Sequence, residues 1–293
     1  MDKQDWLAEQ FEAHRTRLRA VAYRMLGSAT EADDAVQDAW LRFSHAGANG
    51  VSNLGGWLTT LVARACLDLL RARASRQEQP LGVHVPDPVI SRADVTDPEH
   101  QALLAEGVGL ALLVVLDTLT PAERLAFVLH DMFAVPFEEI APIVGRSPTA
   151  ARQLASRARR RVQGAEIPDA DLSRQRVVVD AFFAAARDGH FAALVAVLDP
   201  DVVLRADLGA VPAGALAVVR GAQAVAKQAL TFARLSPFVR PALVNGAAGA
   251  VVAPHGRLFS VMAFTVTNAR IAAINALVDP ERLARLDVGI PTS

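Results

Sequence analysis

Residues 136–162 read PFEEIAPIVGRSPTAARQLASRARRRV, which predicts two short helices joined by a tight turn. Apolar side chains repeat at helical spacing up to Gly145, and glycine readily adopts the left-handed conformation that ends many helices. Ser147 then supplies a helix N-cap, and Pro148 suits the first position of a second helix. This arrangement is typical of a helix-turn-helix, whose second helix enters the major groove of DNA.

The second of these helices predicts a DNA-reading surface. Its apolar stripe leaves a set of polar side chains facing outward: Thr149, Arg152, Gln153, Ser156, Arg157, Arg159 and Arg160. Guanidinium groups can pair with guanine edges and glutamine with adenine, while the other arginines can neutralise phosphates. The alternative is a solvated basic helix end that interacts with its own dipole. The coincidence of turn, caps and outward polar residues favours DNA binding.

Upstream of this motif, residues 5–76 show a helical period near 3.6. One predicted helix carries an apolar stripe from Ala32 to Phe43. Its outward face is acidic and includes Asp34, Gln37, Asp38 and Leu41. Because acidic side chains repel the phosphates of DNA, this face requires a protein partner or solvent.

Residues 54–76 predict another helix, which is basic on its outward face. That face carries Arg64, Asp68, Arg71 and Ser75, and Arg73 and Arg76 follow it. A basic helix end on a separate domain suggests a second nucleic-acid contact. An equally good interpretation is that Arg64 and Asp68, at i and i+4, merely stabilise the helix surface.

The rest of the chain divides by its pattern. Residues 77–98 lose all periodicity and gain prolines, which predicts a linker between a first helical domain at 1–76 and a second at 99–165. From 174 to 293, helical segments are followed by alternating β-branched runs that predict an antiparallel meander. These strands are expected at 202–207, 240–245, 248–253, 257–266 and 270–278. The predicted fold is therefore two all-α domains followed by one α+β domain.

Composition excludes several classes of protein. The chain has 293 residues, 52% of them hydrophobic and 21% charged, which favours packed domains over disorder. Its apolar runs are shorter than a membrane span, and its start lacks the apolar core of a signal peptide. Cys66 is the single cysteine, and the histidines lack metal-ligand spacing. We therefore expect a cytoplasmic protein with no metal and no cofactor.

Three segments in order resemble the extracytoplasmic-function sigma factors of bacterial RNA polymerase. They are EADDAVQDAWLRF at 31–43, WLTTLVARACLDLLRARASR at 57–76 and LTPAERLAFVLHDMFAVPFEEIAPIVGRSPTAARQLASRARRRV at 119–162. The resemblance implies that Asp34, Gln37, Asp38 and Leu41 dock the clamp helices of the largest subunit of core polymerase. It also implies that Arg64, Arg71, Arg73 and Arg76 lie near the −10 promoter element. The helix from Thr149 to Arg160 would then lie on the −35 element.

Residues 174–293 are similar to the SnoaL-like cone fold, which sigma-J type members of this family carry at the same place; we call this domain the cone. Those members have a linker motif close to Trp-Leu-Pro-Glu-Pro, and this chain has His84, Val85, Pro86, Asp87 and Pro88 there. They also have an Asp-Gly-Gly-Gly-Lys-like loop, of which this chain keeps Asp207 and one glycine. The resemblance implies that these linker residues and Asp207 make regulatory contacts between domains.

A different class of function competes with this interpretation. SnoaL-like cones elsewhere bind small molecules and use an Asp or His for acid–base chemistry, for which Asp207, His190 and His255 are available. The sequence favours the simpler interpretation that Asp207 and His255 are ordinary strand-end and turn residues. The chain could nevertheless be a helix-turn-helix repressor, or an enzyme whose cone binds or converts a small molecule. A repressor needs no acidic docking helix, so the sequence favours a non-enzymatic sigma factor that is modulated in cis by its cone. It leaves open whether an anti-sigma factor or a ligand of the cone exists.

Overall fold

A computed structural model describes residues 3–47, 51, 53–75, 84–92, 109–163, 169, 171–209 and 218–286. The chain forms two compact units. The first comprises Met1–Gln79, Gln101–Glu106 and Val115–Ala165, and the second comprises Pro80–His100, Gly107–Val114 and Glu166–Ser293. The proline-rich segment therefore belongs to the unit that contains the cone, although it connects two helical parts of the other unit.

The first unit begins with three helices that pack on one another. They are α1 (Lys3–Leu26), α2 (Ala29–Ala46) and α3 (Leu54–Ser75). The apolar stripe predicted from Ala32 to Phe43 is buried. Ser28 caps α2 by accepting a hydrogen bond from the backbone N–H of Glu31. Burial of this one stripe leaves the acidic face of α2 outside.

The helix-turn-helix predicted from the sequence is present in the same unit. Its elements are α5 (Pro121–Phe127), a π-helical turn at Val128–Met132, α6 (Phe137–Val144) and α7 (Pro148–Val162). Helix α4 (Leu110–Asp117) precedes them and begins among the residues assigned to the second unit. Gly145 ends α6 with φ 68° and ψ 42°, the left-handed region that favours glycine. The side chain of Ser147 caps α7 by accepting from the N–H of Ala150. At α5, Thr120 and Glu123 form a reciprocal capping box.

The second unit is built on one seven-stranded sheet with the order β1-β4-β5-β6-β7-β2-β3. The strands are β1 (Ile90–Arg92), β2 (Leu198–Asp207), β3 (Val218–Arg220), β4 (Val239–Val244), β5 (Ala247–Val252), β6 (Ser260–Thr267) and β7 (Arg270–Leu277). The helices are α8 (Leu172–Arg187), α9 (Phe191–Val197), α10 (Ala222–Thr231) and α11 (Pro280–Leu283). The α+β prediction is confirmed.

The sheet departs from the prediction in three ways. The short strand β3 (Val218–Arg220) was not predicted. The other two departures concern strand pairing. Strands β4 to β7 form the expected antiparallel meander, but β2 pairs in parallel with β7. The predicted linker at 77–98 contributes β1, which pairs with β4. Both differences arise from pairing between distant segments, which leaves no local periodic pattern.

The interior of the cone is filled by side chains. Phe182, Phe183 and Phe264 pack ring against ring, with centroid separations of 5.4 to 5.7 Å. Aliphatic residues of α8, α9, α10 and the strands complete the same core. Among the described helices, none combines the length and the apolar character that crossing a bilayer requires.

Candidate functional site

The acidic face of α2 is available to a partner. Asp34, Gln37 and Leu41 are exposed, and Leu41 shows 49% of its surface. Asp38 is half-buried and forms an ion pair with Arg42 at 2.8 Å. An exposed leucine among acidic and amide groups gives a surface that suits a protein partner with basic rim residues.

The arginines predicted on α3 divide into two kinds. Arg64 and Arg71 are exposed and lie two turns apart on one face. Arg73 is half-buried and forms an ion pair with Glu31 of α2. Along α3, no ion pair joins Arg64 to Asp68, so the surface-stabilisation alternative has no contact to support it. Arg76 lies outside the described residues.

Helix α7 presents its polar face as the sequence predicts. The exposed residues are Thr149, Arg152, Gln153, Ser156, Arg157 and Arg160, and Arg159 is half-buried. The guanidinium of Arg152 lies 5.2 Å from the ring centroid of Phe137, which is itself stacked on His130. This cation–π contact orients Arg152 at the start of the helix.

Several other arginines of α7 bind carboxylates of the same unit. Arg157 donates to Glu123 at 3.0 Å, and Arg161, which the sequence analysis missed, donates to the other oxygen of Glu123 at 3.2 Å. Arg159 donates to Asp131 at 2.5 Å. Burial alone would raise the pKa of Glu123, but hydrogen bonds from Thr120 and Arg157 and the charge of Arg161 lower it. Among the described carboxylates, none forms an ion pair with Arg152 or Arg160.

The two helical parts of the first unit meet at a junction around Phe133. Arg17 of α1 donates to the carbonyl of Phe133 at 3.0 Å, and the guanidinium of Arg24 lies 5.0 Å from the ring centroid of Phe133. Arg124 of α5, only 3% exposed, donates to the carbonyl of Arg24 at 3.1 Å and forms an ion pair with Asp117. Sequence reasoning missed this junction because its partners are about a hundred positions apart.

Asp207 binds the proline-rich segment. Its carboxylate is 5% exposed and accepts hydrogen bonds from the N–H of Val85 at 2.9 Å and of Gly209 at 3.1 Å. Arg282 adds a charged hydrogen bond at 2.5 Å. Nδ1 of His84 lies 3.5 Å away from the same carboxylate. With these donors in place, Asp207 is committed to structure rather than to proton transfer.

Arg282 of α11 holds the segment from the other side. It donates to Asp87 at 2.9 Å and to the carbonyl of Val85 at 2.6 Å, in addition to Asp207. Arg282 was not among the residues predicted from the sequence. A capping signal was present, because Asp279 and Pro280 mark a helix start just before it.

The segment continues along the edge of the sheet. The N–H of Val89 donates to Oδ1 of Asn245 at 3.1 Å, and the N–H of Asn245 donates back to the carbonyl of Val89 at 2.8 Å. Val85, Pro86 and Pro88 are buried, and Asp87 is half-buried. Residues 84–92 therefore add an edge strand and several buried apolar side chains to the cone. This mode of binding is called strand addition.

The other acid–base candidates lie apart from this site. His190 is exposed and precedes α9, and His255 is exposed in the turn after β5. Within the described residues, neither histidine contacts Asp207. The structure therefore brings together no acid–base pair from these three residues.

Both the sequence and the fold of this chain are similar to those of known proteins. Residues 10–76 match the model of Sigma-70 region 2, and residues 109–162 match that of Sigma-70 region 4. The chain is 38% identical over 287 residues to ECF RNA polymerase sigma factor SigJ of Mycobacterium tuberculosis, covering 93% of this chain and 92% of that protein. It is 33% identical over 288 residues to the probable ECF sigma factor SigI of the same species, covering 97% of each. The crystal structure of SigJ superposes with a TM-score of 0.80 at 36% identity, covering 96% of this chain and 99% of that one.

Removal of Arg282 tests how the proline-rich segment is held. We expect Arg282→Ala to speed hydrogen exchange of the Val85 amide at least ~10-fold. A 10-fold change corresponds to a loss of about 1.4 kcal/mol of local stability. Breaking a buried ion pair costs more than that. The measurement is amide exchange followed by mass spectrometry over residues 84–92. Arg285→Ala, which removes an exposed arginine just beyond α11, is the matched control and should leave that exchange unchanged. Equal protection in both variants would contradict the role of Arg282.

Proposed function

Since the chain belongs to the extracytoplasmic-function sigma factors of RNA polymerase, we propose that it binds core polymerase through α2 and places α3 and α7 on promoter DNA. Such a factor directs promoter-specific transcription initiation and is not itself an enzyme. One observation carries the assignment of sites. A single unit presents both an exposed acidic face on α2 and a helix-turn-helix whose outward Arg152 and Arg160 form no ion pair with a described carboxylate. We place this activity in the cytoplasm, where bacterial promoters are transcribed.

The partner of the α2 face is proposed to be the pair of clamp helices in the largest polymerase subunit. Asp34 and Asp38 provide negative charge one turn apart, and Leu41 provides an apolar contact at the end of the same face. A partner surface with basic side chains would complement this face in charge.

Charge reversal on α2 tests the docking surface. We expect Asp34→Arg combined with Asp38→Arg to abolish co-elution with core polymerase, since like charges across an interface cost several kcal/mol. Circular dichroism would verify that the helices are retained. The control reverses Asp180 and Asp188, two exposed acids of the cone, and should leave assembly intact. Undiminished co-elution of the α2 variant would show that the docking surface lies elsewhere.

Promoter reading is proposed to fall on unpaired arginines at the two ends of α7. Arg152 lies in the first turns of the helix, where side chains reach base edges. Arg160 lies near its end, where phosphates are the nearest partners. Arg157 and Arg159 could contact DNA only in competition with Glu123 and Asp131.

The two ends of α7 should therefore respond differently to truncation. Arg152→Ala should weaken binding by ~1–3 kcal/mol and relax specificity at one −35 position, because a base contact is lost. Arg160→Ala should weaken binding to all sequences alike and flatten the salt dependence by about one unit. Affinity measured over a series of single-base substitutions in the −35 element separates the two outcomes. Uniform losses in both variants would refute the assignment of Arg152.

Promoter binding requires the first unit to open. The −35 and −10 elements are 25 base pairs apart by their names, or about 85 Å at ~3.4 Å per pair. Helices α1 and α7, of 24 and 15 residues, are only ~36 and ~22 Å long at 1.5 Å per residue. Two parts of this size that touch at Phe133 cannot place their DNA-reading faces on both elements. We therefore interpret the junction around Phe133 as a closed form.

The cone is proposed to modulate this activity in cis by holding residues 84–92. That segment connects the two helical parts, so its retention at the sheet edge shortens the free chain between them. Since the interior of the cone is a packed core, its surface contacts carry the proposed regulation.

The same pair of variants tests regulation. We expect Arg282→Ala to change transcription from a selected promoter several-fold, in either direction, while binding to core polymerase persists. Arg285→Ala should transcribe like the wild type. Identical transcript levels for all three proteins would mean that retention of the segment has no regulatory role.

A further inference from the structure

A long part of the cone contains cations but no acids. Residues 208–278 include no Asp or Glu. Their cations are Arg220, Lys227, Arg234, Arg240, Arg257 and Arg270. These residues span β3, α10 and the whole meander, so the fold decides which of them come together.

Three of the arginines lie at one end of the sheet, and we call Arg234, Arg240 and Arg257 the arginine edge. Arg240, at the start of β4, pairs with Val251 near the end of β5. Arg234 lies in the 3₁₀ turn that precedes β4, and Arg257 follows the turn after β5. These two turns contact each other, since the rings of Phe238 and His255 are 5.3 Å apart.

The other cations occupy different places. Arg270 is the first residue of β7 and lies beside the end of β6. The 8 residues of β6 rise ~3.3 Å each, which puts Arg270 about 26 Å from Arg257. Arg220 and Arg270 line the same shallow pocket, and Lys227 is exposed on α10. Arg220, Lys227 and Arg270 therefore carry the same formal charge as the arginine edge but lie elsewhere on the cone.

The charge of the arginine edge is not neutralised by neighbouring carboxylates. All three arginines are exposed, and none forms an ion pair with a described carboxylate. Arg240 donates to the backbone carbonyls of Pro237 and Val239, which carry no net charge.

Acids on the neighbouring elements are few. Helix α8 packs against the 233–238 turn, and Asp180 is the one acid within its bounds, beside three arginines. At the same end of the sheet lie Asp207 and Asp279, but β6 and β7 separate them from β5. Asp207 is already paired with Arg282. The arginine edge therefore remains a positive surface.

We propose that the arginine edge binds the phosphate backbone of promoter duplex while α7 occupies the −35 element. Guanidinium groups match phosphate oxygens in charge and bidentate geometry. The chain enters the cone at Asp169, whose N–H donates to the carbonyl of Val266 at 2.8 Å, at the end of the sheet opposite the arginine edge. From Gln163 to Asp169 the chain spans at most ~21 Å at ~3.5 Å per residue, so α7 carries the cone to the same DNA. Such a tether gives an effective concentration in the millimolar range, at which weak phosphate contacts are populated. This inference rests on the proposed promoter binding.

The test is the salt dependence of promoter binding by the holoenzyme. The full chain is assembled with core polymerase of Mycobacterium tuberculosis, and the DNA is a duplex that the wild-type holoenzyme selects from a library with randomised −35 and −10 elements. The variant carries Arg234→Ser, Arg240→Ser and Arg257→Ser. The matched control carries Arg220→Ser, Lys227→Ser and Arg270→Ser, which remove the same charge from the same stretch of chain.

We expect the slope of log affinity against log salt to flatten by about two to three units in the variant, since each lost phosphate contact contributes ~0.9. The control should retain the wild-type slope, and both should melt at the wild-type temperature. Equal slopes in variant and control would overturn the inference while leaving the proposed function intact. Loss of affinity for core polymerase with an unchanged DNA slope would also overturn it, because the edge would then bind protein. If the wild-type holoenzyme selects no promoter, both the proposed function and this inference are wrong.

Discussion

A buried carboxylate organises the second unit. Asp207 is 5% exposed, and a charge at such a site is stable only with strong donors around it. Its donors come from segments far apart in the chain: the N–H of Val85 and the guanidinium of Arg282. Those contacts fix the path of residues 84–87. The residues that follow, Ile90–Arg92, therefore pair with β4 as the edge strand β1. The link between the helical parts is thus built into the cone.

The first unit also contains a buried charge, the guanidinium of Arg124. Unlike Asp207, this group and its partner Asp117 keep polar atoms without hydrogen bonds within the described residues. Arg124 ion-pairs with Asp117 and donates to the carbonyl of Arg24. Within the described residues, however, Nη2 of Arg124 and Oδ2 of Asp117 have no hydrogen-bond partner. Unsatisfied buried polar atoms cost about 1–3 kcal/mol each, so the closed junction is less stable than its contacts alone suggest. A junction of this kind suits a contact that must break when polymerase and DNA bind.

The cone illustrates how one fold can carry unrelated functions. In this cone, Phe182, Phe183 and Phe264 pack in the interior. Asp207, the carboxylate that the sequence offered for acid–base chemistry, instead binds the backbone N–H of Val85. We therefore place the proposed functions of this unit on its edge and its surface charge.

The helices, the helix-turn-helix and the outward faces of α2 and α7 were predictable from the sequence. Their signals, such as Gly145 and Ser147 at helix ends and apolar residues at i, i+3 and i+4, act between near neighbours in the chain. Only the tertiary structure decided that the proline-rich segment forms β1 and that Arg282 holds it. The Arg282–Asp87 pair spans 195 positions, and no local pattern encodes which buried carboxylate will meet which guanidinium. That choice follows from packing of the whole sheet, because a charge is buried only where the complete fold supplies its partner.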